Sequence, residues 1–236
     1  MINKIKGLFF EIKATLSAST QLQKDNLAIQ FIKDYLPNSE NYFPFTNSSI
    51  NPHTLSCVLN DIKINKRKSV IEFGGGLSTL AIAKFALLNK IDLEIITIEN
   101  NEGYAQLLNS IIKNEGLSSF VKVIVAPLNQ SKLSLNNLDW YDETVVKECI
   151  KNTKFDCIIV DGPEAWNSQN ELSRYPAFPS LEHHIAPNYS LFVDDTFRNG
   201  EKVILSKWTV KYNIPFKKIN EVAHVSLNGE YFNPVL

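Results

Sequence analysis

The chain has 236 residues, of which 44% are hydrophobic and 21% are charged, and its formal net charge is −1. This length supports one large domain with a full core, and the composition is ordinary for a globular protein. The balanced charge leaves no basic footprint, so nucleic acid is not expected as a partner.

The three cysteines, Cys57, Cys149 and Cys157, are odd in number and form no CxxC pair. This pattern indicates reduced thiols rather than a disulfide framework or a zinc site. No apolar run approaches the roughly 20 residues that are needed to cross a bilayer. We therefore expect a soluble, cytoplasmic protein.

Residues 1–67 contain helical patterns and no strand signal, which predicts an N-terminal helical cap. Two helices are expected before Pro37, the second over about 22–35, and a third is expected to begin at Pro52. The apolar face of the first helix is predicted to pack on the domain or on a second subunit, as in a homodimer. Contact of this helix with a membrane surface is the alternative. The face consists of Ile2, Ile5, Phe9, Ile12 and Leu16.

From residue 68 to 236, strand and helix patterns alternate, which predicts a doubly wound, mostly parallel α/β sheet. At the C-terminal end, strand-like segments and the turn signal Asn228-Gly229 predict an antiparallel hairpin. The predicted strands are 69–73, 93–98, 121–125, 155–160, 190–193, 216–221, 223–227 and 230–232. The predicted helices are 77–88, 102–114, 143–151, 179–184 and 200–212.

The pattern VIEFGGGLST at residues 70–79 combines a strand, a glycine turn and a helix start. This is the usual site of a nucleotide-like ligand. Gly74, Gly75 and Gly76 allow a sharp turn and the close approach of a ligand. Thr79 stands where a dinucleotide-binding GxGxxG pattern has its third glycine, and the ending of a P-loop is absent. Both of those ligand classes are therefore disfavoured.

Two acids flank the glycine turn. Glu72 precedes the first glycine by two residues and can bind a cationic amine, directly or through water. Glu99 ends the second strand, where a carboxylate can accept both hydroxyls of a ribose. Alternatively, Glu99 is a solvated acid at the start of the next helix. Ser78 suits the first turn of the helix after the glycines, because its hydroxyl can cap an amide there.

The pattern ExGxGxS, followed by an acid at the end of the second strand, resembles the class I S-adenosylmethionine-dependent methyltransferases. The resemblance covers about residue 69 to the C-terminus and implies the strand order 3-2-1-4-5-7-6. It also implies that the glycine turn meets the methionine part of the cofactor and that Glu99 meets its ribose. Asn100 stands where the family often has an apolar residue against adenine, and Ala126-Pro127 lacks the polar side chain that often meets the adenine amino group. The implied cofactor contacts are Glu72, Gly74, Gly75, Gly76, Ser78, Glu99, Asn100 and Asp161.

Aspartates follow the fourth and fifth predicted strands: Asp161 after one, Asp194 and Asp195 after the other. Parallel strands bring both ends to the edge of the glycine turn. Carboxylates at close range need compensation, which a divalent ion such as Mg²⁺ provides. The arrangement resembles the metal-dependent small-molecule O-methyltransferases of the catechol and sugar types. That resemblance implies that the three aspartates hold an ion that orients the acceptor hydroxyl. Loop acids that contact cofactor or substrate, or purely structural acids, are the alternatives.

Residues 166–178 form an insertion that is predicted to face the substrate. Arg174 and Arg198 are candidates to bind an anionic acceptor such as a nucleotide sugar, with structural ion pairs as the alternative. Tyr175, Trp166 and Phe178 are candidates to form a wall on which a sugar stacks, with the packing of an apolar lid as the alternative. Asp161, His183 and His184 are the candidate catalytic residues. Adjacent residues diverge by about 100° on a helix, so at most one histidine would act as general base. Otherwise each is an ordinary surface or core histidine.

These patterns together predict a methyltransferase that uses S-adenosylmethionine and acts on a hydroxyl of a small, sugar-like molecule. A divalent cation such as Mg²⁺ is the second expected cofactor. Two alternatives remain at this stage: a NAD- or nucleotide-binding protein on the same scaffold, and a non-catalytic relative that binds a partner.

Overall fold

A computed structural model describes residues 2–46 and 48–235, with the side chains of 2–14, 17 and 39 outside the description. Helices alternate with strands over most of this length. The helices are α1 (Ile2–Ile32), α2 (Pro52–Ile64), α3 (Leu77–Leu88), α4 (Glu102–Asn114), α5 (Glu143–Ile150) and α6 (Asn199–Tyr212). The strands are β1 (Ser69–Phe73), β2 (Glu94–Glu99), β3 (Val121–Val125), β4 (Leu128–Gln130), β5 (Asp139–Tyr141), β6 (Phe155–Val160), β7 (Ile185–Val193), β8 (Lys217–Lys218) and β9 (His224–Asn228).

Seven strands form one sheet in the order β3-β2-β1-β6-β7-β9-β8. The neighbouring strands β3, β2, β1, β6 and β7 are parallel to one another. At the edge, β9 pairs antiparallel with both β7 and β8. Strands β4 and β5 form a separate small hairpin. With that hairpin set aside, the order is the expected 3-2-1-4-5-7-6, which confirms the predicted doubly wound fold.

Helices cover both faces of the sheet, because successive residues of each strand point to opposite sides. In β1, Val70 belongs to an apolar core with residues of α2 and α3. Its neighbours Ile71 and Phe73 belong to a second core with residues of α5 and α6. All five residues of β1 are buried, as expected for a central parallel strand. The division of the chain at residues 67 and 68 stays a prediction.

The N-terminal helix α1 is continuous from Ile2 to Ile32, so the prediction of two helices before Pro37 is wrong. No proline interrupts this stretch, and a helix propagates until a breaker or a cap ends it. Ala28 and Ile32 are buried where α1 packs on α2. Leu16 is exposed, and the other four residues of the predicted apolar face have side chains outside the description. Its packing on a subunit or a membrane stays a prediction. No described helix is both long and apolar enough to traverse a lipid bilayer.

The C-terminal hairpin forms, but its turn is not Asn228-Gly229. Strands β8 and β9 are joined through residues 219–223, where the Asn220 side chain accepts hydrogen bonds from the amides of Val222 (2.9 Å) and Ala223 (2.8 Å). Strand β9 ends at Asn228, and beyond Gly229 the amide of Glu230 donates to the Asn188 side chain at 3.2 Å instead of pairing with β9. The predicted strand 230–232 is therefore absent from the described chain, and Phe232 bonds to the Asn65 side chain at 2.6 Å.

The predicted helix over 179–184 is also wrong. Two short 3-10 turns, Tyr175–Ala177 and Pro179–Leu181, replace it, and β7 already begins at Ile185. Pro176, the second residue of one turn, and Pro179, the first residue of the other, fix the backbone angle but remove amide donors, which limits each turn to a few residues.

A buried ion pair ties α2 to the sheet. Arg67 donates to Asp61 through Nε (2.9 Å) and Nη2 (3.1 Å), and both side chains are almost fully buried. The Asp61 carboxylate also accepts from Ser190 on β7 (2.6 Å) and from Asn65 (2.7 Å). Every charge in this network has partners, which is the condition under which a buried pair is tolerated.

We predict that Asp61→Ala lowers the free energy of unfolding by about 3–5 kcal/mol, because it leaves the Arg67 guanidinium buried without a counter-charge. Urea denaturation measures the loss. Glu148→Ala is the matched control, since it removes an exposed pair with Lys151 (2.6 Å) and should cost less than about 1 kcal/mol. Equal losses in the two variants would contradict the assignment.

Candidate functional site

Four strand ends place the candidate residues at one edge of the sheet. The turns that follow β1, β2, β6 and β7 begin at neighbouring positions because the strands are parallel and in register. The amide of Gly74 donates to Ile98 (2.9 Å), that of Asp161 donates to Phe73 (2.9 Å), and that of Asp194 donates to Val160 (3.0 Å). This edge is where parallel α/β sheets bind ligands.

Glycine is required in this turn because another backbone segment approaches it closely. Gly74 has a φ of +92°, and a Cβ there would lie 2.9 Å from the amide nitrogen of Gly162, in the turn after β6. A Cβ on Gly75 would lie 2.8 Å from the Thr97 hydroxyl. Gly76 faces more open space, with the Tyr104 hydroxyl 3.4 Å from where its Cβ would be. The turn thus stays close to the sheet, with Gly74 partly exposed and Gly75 and Gly76 buried.

Glu72 lies beneath this turn and has no exposed surface. Its carboxylate accepts hydrogen bonds from Ser78 (2.5 Å), Thr79 and Thr97 (3.1 Å). Burial raises the pKa of Glu72 to about 7, although these three hydroxyls act in the opposite direction. The contacts make Glu72 and Ser78 anchors of the turn, and a direct contact of either with a cofactor stays a prediction.

Glu99 ends β2 and is held in place by the amide of Asn101, which donates to Oε1 at 2.7 Å. Burial raises the pKa of Glu99 above its ordinary value. Asn100 is exposed beside it. Glu99 therefore stands one strand away from the glycine turn with a fixed carboxylate, the position predicted for a ribose contact.

Tyr104, in the first turn of α4, is a site residue that the sequence reasoning missed. Its hydroxyl lies near Gly76, and burial together with the carboxylates of Glu99 and Glu72 raises the pKa of Tyr104 to about 12. The ring contacts Phe43, from the N-terminal segment, at a centroid distance of 5.5 Å. An aromatic residue five positions after the ribose acid was the signal available in the sequence.

Tyr141 on β5 was also missed, since no strand was predicted between residues 125 and 143. Its ring stacks on Phe73 at 5.9 Å, and its buried hydroxyl lies against Gly162. Within the described part of the chain, neither this hydroxyl nor Nε1 of Trp140 has a hydrogen-bond partner. The hairpin of β4 and β5 thus supports the turn after β6 by packing.

The predicted acidic cluster does assemble, but it surrounds an arginine. Nη1 of Arg174 lies 3.0 Å from Asp195 Oδ2 and 3.6 Å from Glu201 Oε1, and its Nη2 lies 3.6 Å from Asp161 Oδ1. Arg198 reaches the same Asp195 oxygen at 2.9 Å. Both predicted arginines therefore form ion pairs with acids of the site, the alternative that the sequence left open.

The carboxyl groups of this cluster are strongly perturbed. Burial and the neighbouring Asp194 raise the pKa of Asp161 well above its ordinary value. Burial and Asp195 raise the pKa of Asp194 to about 7, and burial raises that of Glu201 to about 7. In the described structure Asp194 Oδ1 and both Glu201 oxygens have no hydrogen-bond donor. Arg174 and Arg198 thus compensate only part of the negative charge.

The described residues do not fit the predicted metal centre. No group of three His, Cys, Asp or Glu side chains among them is arranged to hold an ion. A divalent ion would have to share Asp161 and Asp195 with the Arg174 guanidinium that already lies between them. Metal binding by Asp161, Asp194 and Asp195 is therefore not carried into the function proposed below.

The two predicted catalytic histidines lie away from this edge. His184 immediately precedes β7, and its carbonyl accepts from the amide of Phe155 at the start of β6. Asp161 follows the end of β6, six residues further along an extended strand, a separation of about 20 Å. His183 is exposed. The structure does not bring either ring to the acidic cluster, since both precede a strand whose far end carries the site.

Tyr175 also points away from the cluster. It is buried near Trp208, whose Nε1 donates to the Tyr175 carbonyl at 3.1 Å. The cavity beside the cluster has a volume of about 90 Å³. It is lined by Ser48, Asp161, Glu164, Ala165, Trp166, Arg174, Asp195 and Arg198. Trp166, which was predicted to stack on a sugar along with Tyr175, lines this cavity and has 65% of its surface exposed, whereas Tyr175 does not line it.

No protein-family model and no curated protein sequence matches the chain. Solved structures do. The SAH-bound methyltransferase PaMTH1 of Podospora anserina is 14% identical with a TM-score of 0.57, over 93% of this chain and 96% of that one. The O-methyltransferase TomG of Streptomyces achromogenes, involved in tomaymycin synthesis and in complex with SAM, is 13% identical with a TM-score of 0.57, over 89% and 99%.

An O-methyltransferase of Bacillus cereus in complex with SAH is 15% identical with a TM-score of 0.55, over 88% of this chain and 91% of that one. The match spans nearly the whole length of each of these proteins. At such low identity it establishes the fold. The chain has the fold of S-adenosylmethionine-dependent O-methyltransferases.

The pKa of Glu72 leads to a prediction for the stability of the protein. Between about pH 4.5 and 7 the unfolded state loses the Glu72 proton while the folded state keeps it, so stability falls as pH rises through this window. The contribution is on the order of 3 kcal/mol. Glu72→Gln should flatten this part of the pH profile, measured by urea denaturation at each pH.

Glu102→Gln is the matched control, because that side chain is exposed at the start of α4. If stability depends on pH in the same way in Glu72→Gln and in the wild-type protein, the raised pKa of Glu72 is contradicted.

Proposed function

We propose that this protein is an S-adenosylmethionine-dependent methyltransferase that methylates a hydroxyl group of a small, sugar-like molecule. The observation that carries the proposal is the meeting of the glycine turn, Glu99 and the acidic cluster at one sheet edge, in a fold that holds this cofactor or its product in solved relatives. The cofactor would supply the reaction with a methyl group on a positively charged sulfur.

The cofactor would be held by groups on both sides of the glycine turn. The first turn of α3 follows the glycines, and its helix dipole favours a carboxylate there, while the amide of Gly76 already donates to Thr79 Oγ1 at 3.0 Å. The fixed carboxylate of Glu99 is placed to accept hydrogen bonds from ribose hydroxyls. The Tyr104 hydroxyl, close to Gly76, is a further donor at the same place.

The acceptor would enter through the cavity beside Asp161. Trp166 offers an exposed aromatic face of the kind on which sugar rings stack, and Glu164 and Arg198 offer hydrogen-bonding groups at the rim. Asp161 lines this cavity and follows β6, beside the glycine turn after β1, with its amide donating to the Phe73 carbonyl at 2.9 Å. We assign it the role of accepting the proton of the acceptor hydroxyl, since neither His183 nor His184 is within reach.

The chemistry then depends mainly on position. A methyl transfer needs the acceptor oxygen in line with the bond that breaks, and holding the two reactants in that geometry removes part of the barrier. The buried network under the turn and the arginine within the cluster both serve this purpose, because they fix backbone segments that the cofactor and the acceptor would contact.

Isothermal titration of the protein with S-adenosylmethionine and S-adenosylhomocysteine tests the proposal. We predict saturable binding of both, and a loss of affinity of about tenfold or more in Glu99→Ala, because a hydrogen bond to a charged group contributes about 1.5–3 kcal/mol. Glu102→Ala, on the exposed first turn of α4, should bind as the wild type does.

The melting temperature of Glu99→Ala distinguishes lost contacts from lost folding, since Glu99 also holds the Asn101 amide. No binding to the wild-type protein at millimolar ligand would contradict the proposed function. If the wild-type protein does bind, incubation with a panel of nucleotide sugars and glycosides identifies the acceptor as the compound that causes release of S-adenosylhomocysteine.

A further inference from the structure

The Arg174 guanidinium lies where the resemblance implied a divalent ion. It is 4% exposed and contacts Asp195 at 3.0 Å, with Asp161 and Glu201 each at 3.6 Å. These acids come from the turn after β6, the turn after β7 and the first turn of α6. One cation thus neutralises charge from three separate segments, which is the task that an ion would otherwise perform.

Arg174 is fixed in this position by backbone bonds as well. Its Nη2 donates to the carbonyl of Asp161 at 2.6 Å, and its Nε donates to the carbonyl of Pro163 at 2.9 Å. A guanidinium has five N–H donors in a rigid plane, so it can hold two carbonyls and face carboxylates at the same time. Removing it from the cluster would leave both carbonyls without these donors.

A divalent ion and this guanidinium are poorly compatible neighbours. Mg²⁺ needs oxygen ligands at about 2.0–2.1 Å in nearly octahedral geometry. An ion bound to Asp161 and Asp195 would lie within a few Å of Arg174, where the two positive charges repel each other with little water between them to screen them. Asp195 is also shared with Arg198 at 2.9 Å, which reduces its capacity as a ligand.

We propose that Arg174 supplies the positive charge that a divalent ion supplies in the metal-dependent O-methyltransferases, so that this site works without a divalent ion. Arg174 is then a positioning residue: it holds Asp161 and the turn through Pro163 in place and balances the acids that face the acceptor cavity. The inference concerns the site of the proposed function and rests on it for the role of the acceptor.

Titration with Mn²⁺ tests this inference without any turnover. Wild-type protein should show no saturable Mn²⁺ or Mg²⁺ binding below millimolar concentration, and EDTA should leave its affinity for S-adenosylhomocysteine unchanged. Submillimolar binding of one Mn²⁺ by the wild-type protein that is lost in Asp161→Asn or Asp195→Asn would overturn the inference. Failure to bind S-adenosylhomocysteine would overturn the proposed function instead, so the two failures are distinguishable.

Substitution of Arg174 is the second test of this inference. Arg174→Met removes the charge but keeps an unbranched side chain, and it should raise the affinity for Mn²⁺ at least tenfold, because the carboxylates then lack their counter-charge. Lys202→Met, which removes an exposed positive charge from α6, is the matched control and should not change it. A folded Arg174→Met protein with no gain in Mn²⁺ affinity would contradict the role of this charge.

Arg174→Lys covers the case in which Arg174→Met does not fold. It keeps the charge but loses the planar donors, so it should still bind no Mn²⁺ below millimolar concentration. Submillimolar binding by a folded Arg174→Lys protein would count against the inference, and the wild-type titration decides it in any case.

Discussion

The burial of carboxylates at one edge of the sheet is the constraint on which the rest of this structure depends. Parallel pairing brings the ends of β1, β2, β6 and β7 together, and each strand either contains an acid at this end or is followed by one. Water is largely removed there, so each charge needs another source of stabilisation. The chain uses hydroxyl groups for Glu72, a backbone amide for Glu99 and a guanidinium for Asp161 and Asp195.

These different solutions assign different tasks to similar residues. Glu72 is enclosed by three hydroxyls and shapes the turn from below, whereas Asp161 is partly exposed at a cavity and is available to an acceptor. Asp194 lies between them in exposure, with one oxygen that finds no donor in the described structure. Position relative to solvent, more than residue type, therefore separates structural acids from those with a proposed chemical role.

Most of the framework was predictable from sequence because it depends on local periodicity. Strand β1 and helix α3 have the predicted bounds, since apolar runs and glycines determine them within a few residues. The strand order required the family resemblance, because periodicity carries no information on which strands are neighbours. The turn signal at Asn228-Gly229 failed because Gly229 meets Asn188 on β7, a contact between distant residues.

The candidate site was predictable in its acids but not in their partners. Glu72, Glu99 and Asp161 follow from their places at strand ends. That Thr97 bonds to Glu72 depends on the register of β1 and β2, and that Arg174 enters the cluster depends on the path of an irregular segment. The prediction that His183 or His184 is catalytic fails for the same reason. A helix was predicted over 179–184, whereas both residues directly precede β7, at the end of the sheet away from the site.

The N-terminal segment belongs to this edge of the molecule as well. Phe43 is buried against Tyr104, and Ser48 lines the cavity that also contains Asp161 and Arg198. Both residues follow α1 and precede α2, so the helical N-terminal part contributes directly to the surroundings of the proposed cofactor and acceptor.

The close approach of Gly74 and Gly162 has a consequence for how such a site can change over evolutionary time. A Cβ on Gly162 would lie 2.7 Å from the Cα of Gly74, and a Cβ on Gly74 would lie 2.9 Å from the Gly162 nitrogen. Neither position can accept a side chain until the other loop has moved. The two loops, 88 residues apart in sequence (162 minus 74), must therefore diverge as a correlated pair, and new acceptor specificity is more accessible through Trp166 and Glu164 than through either glycine.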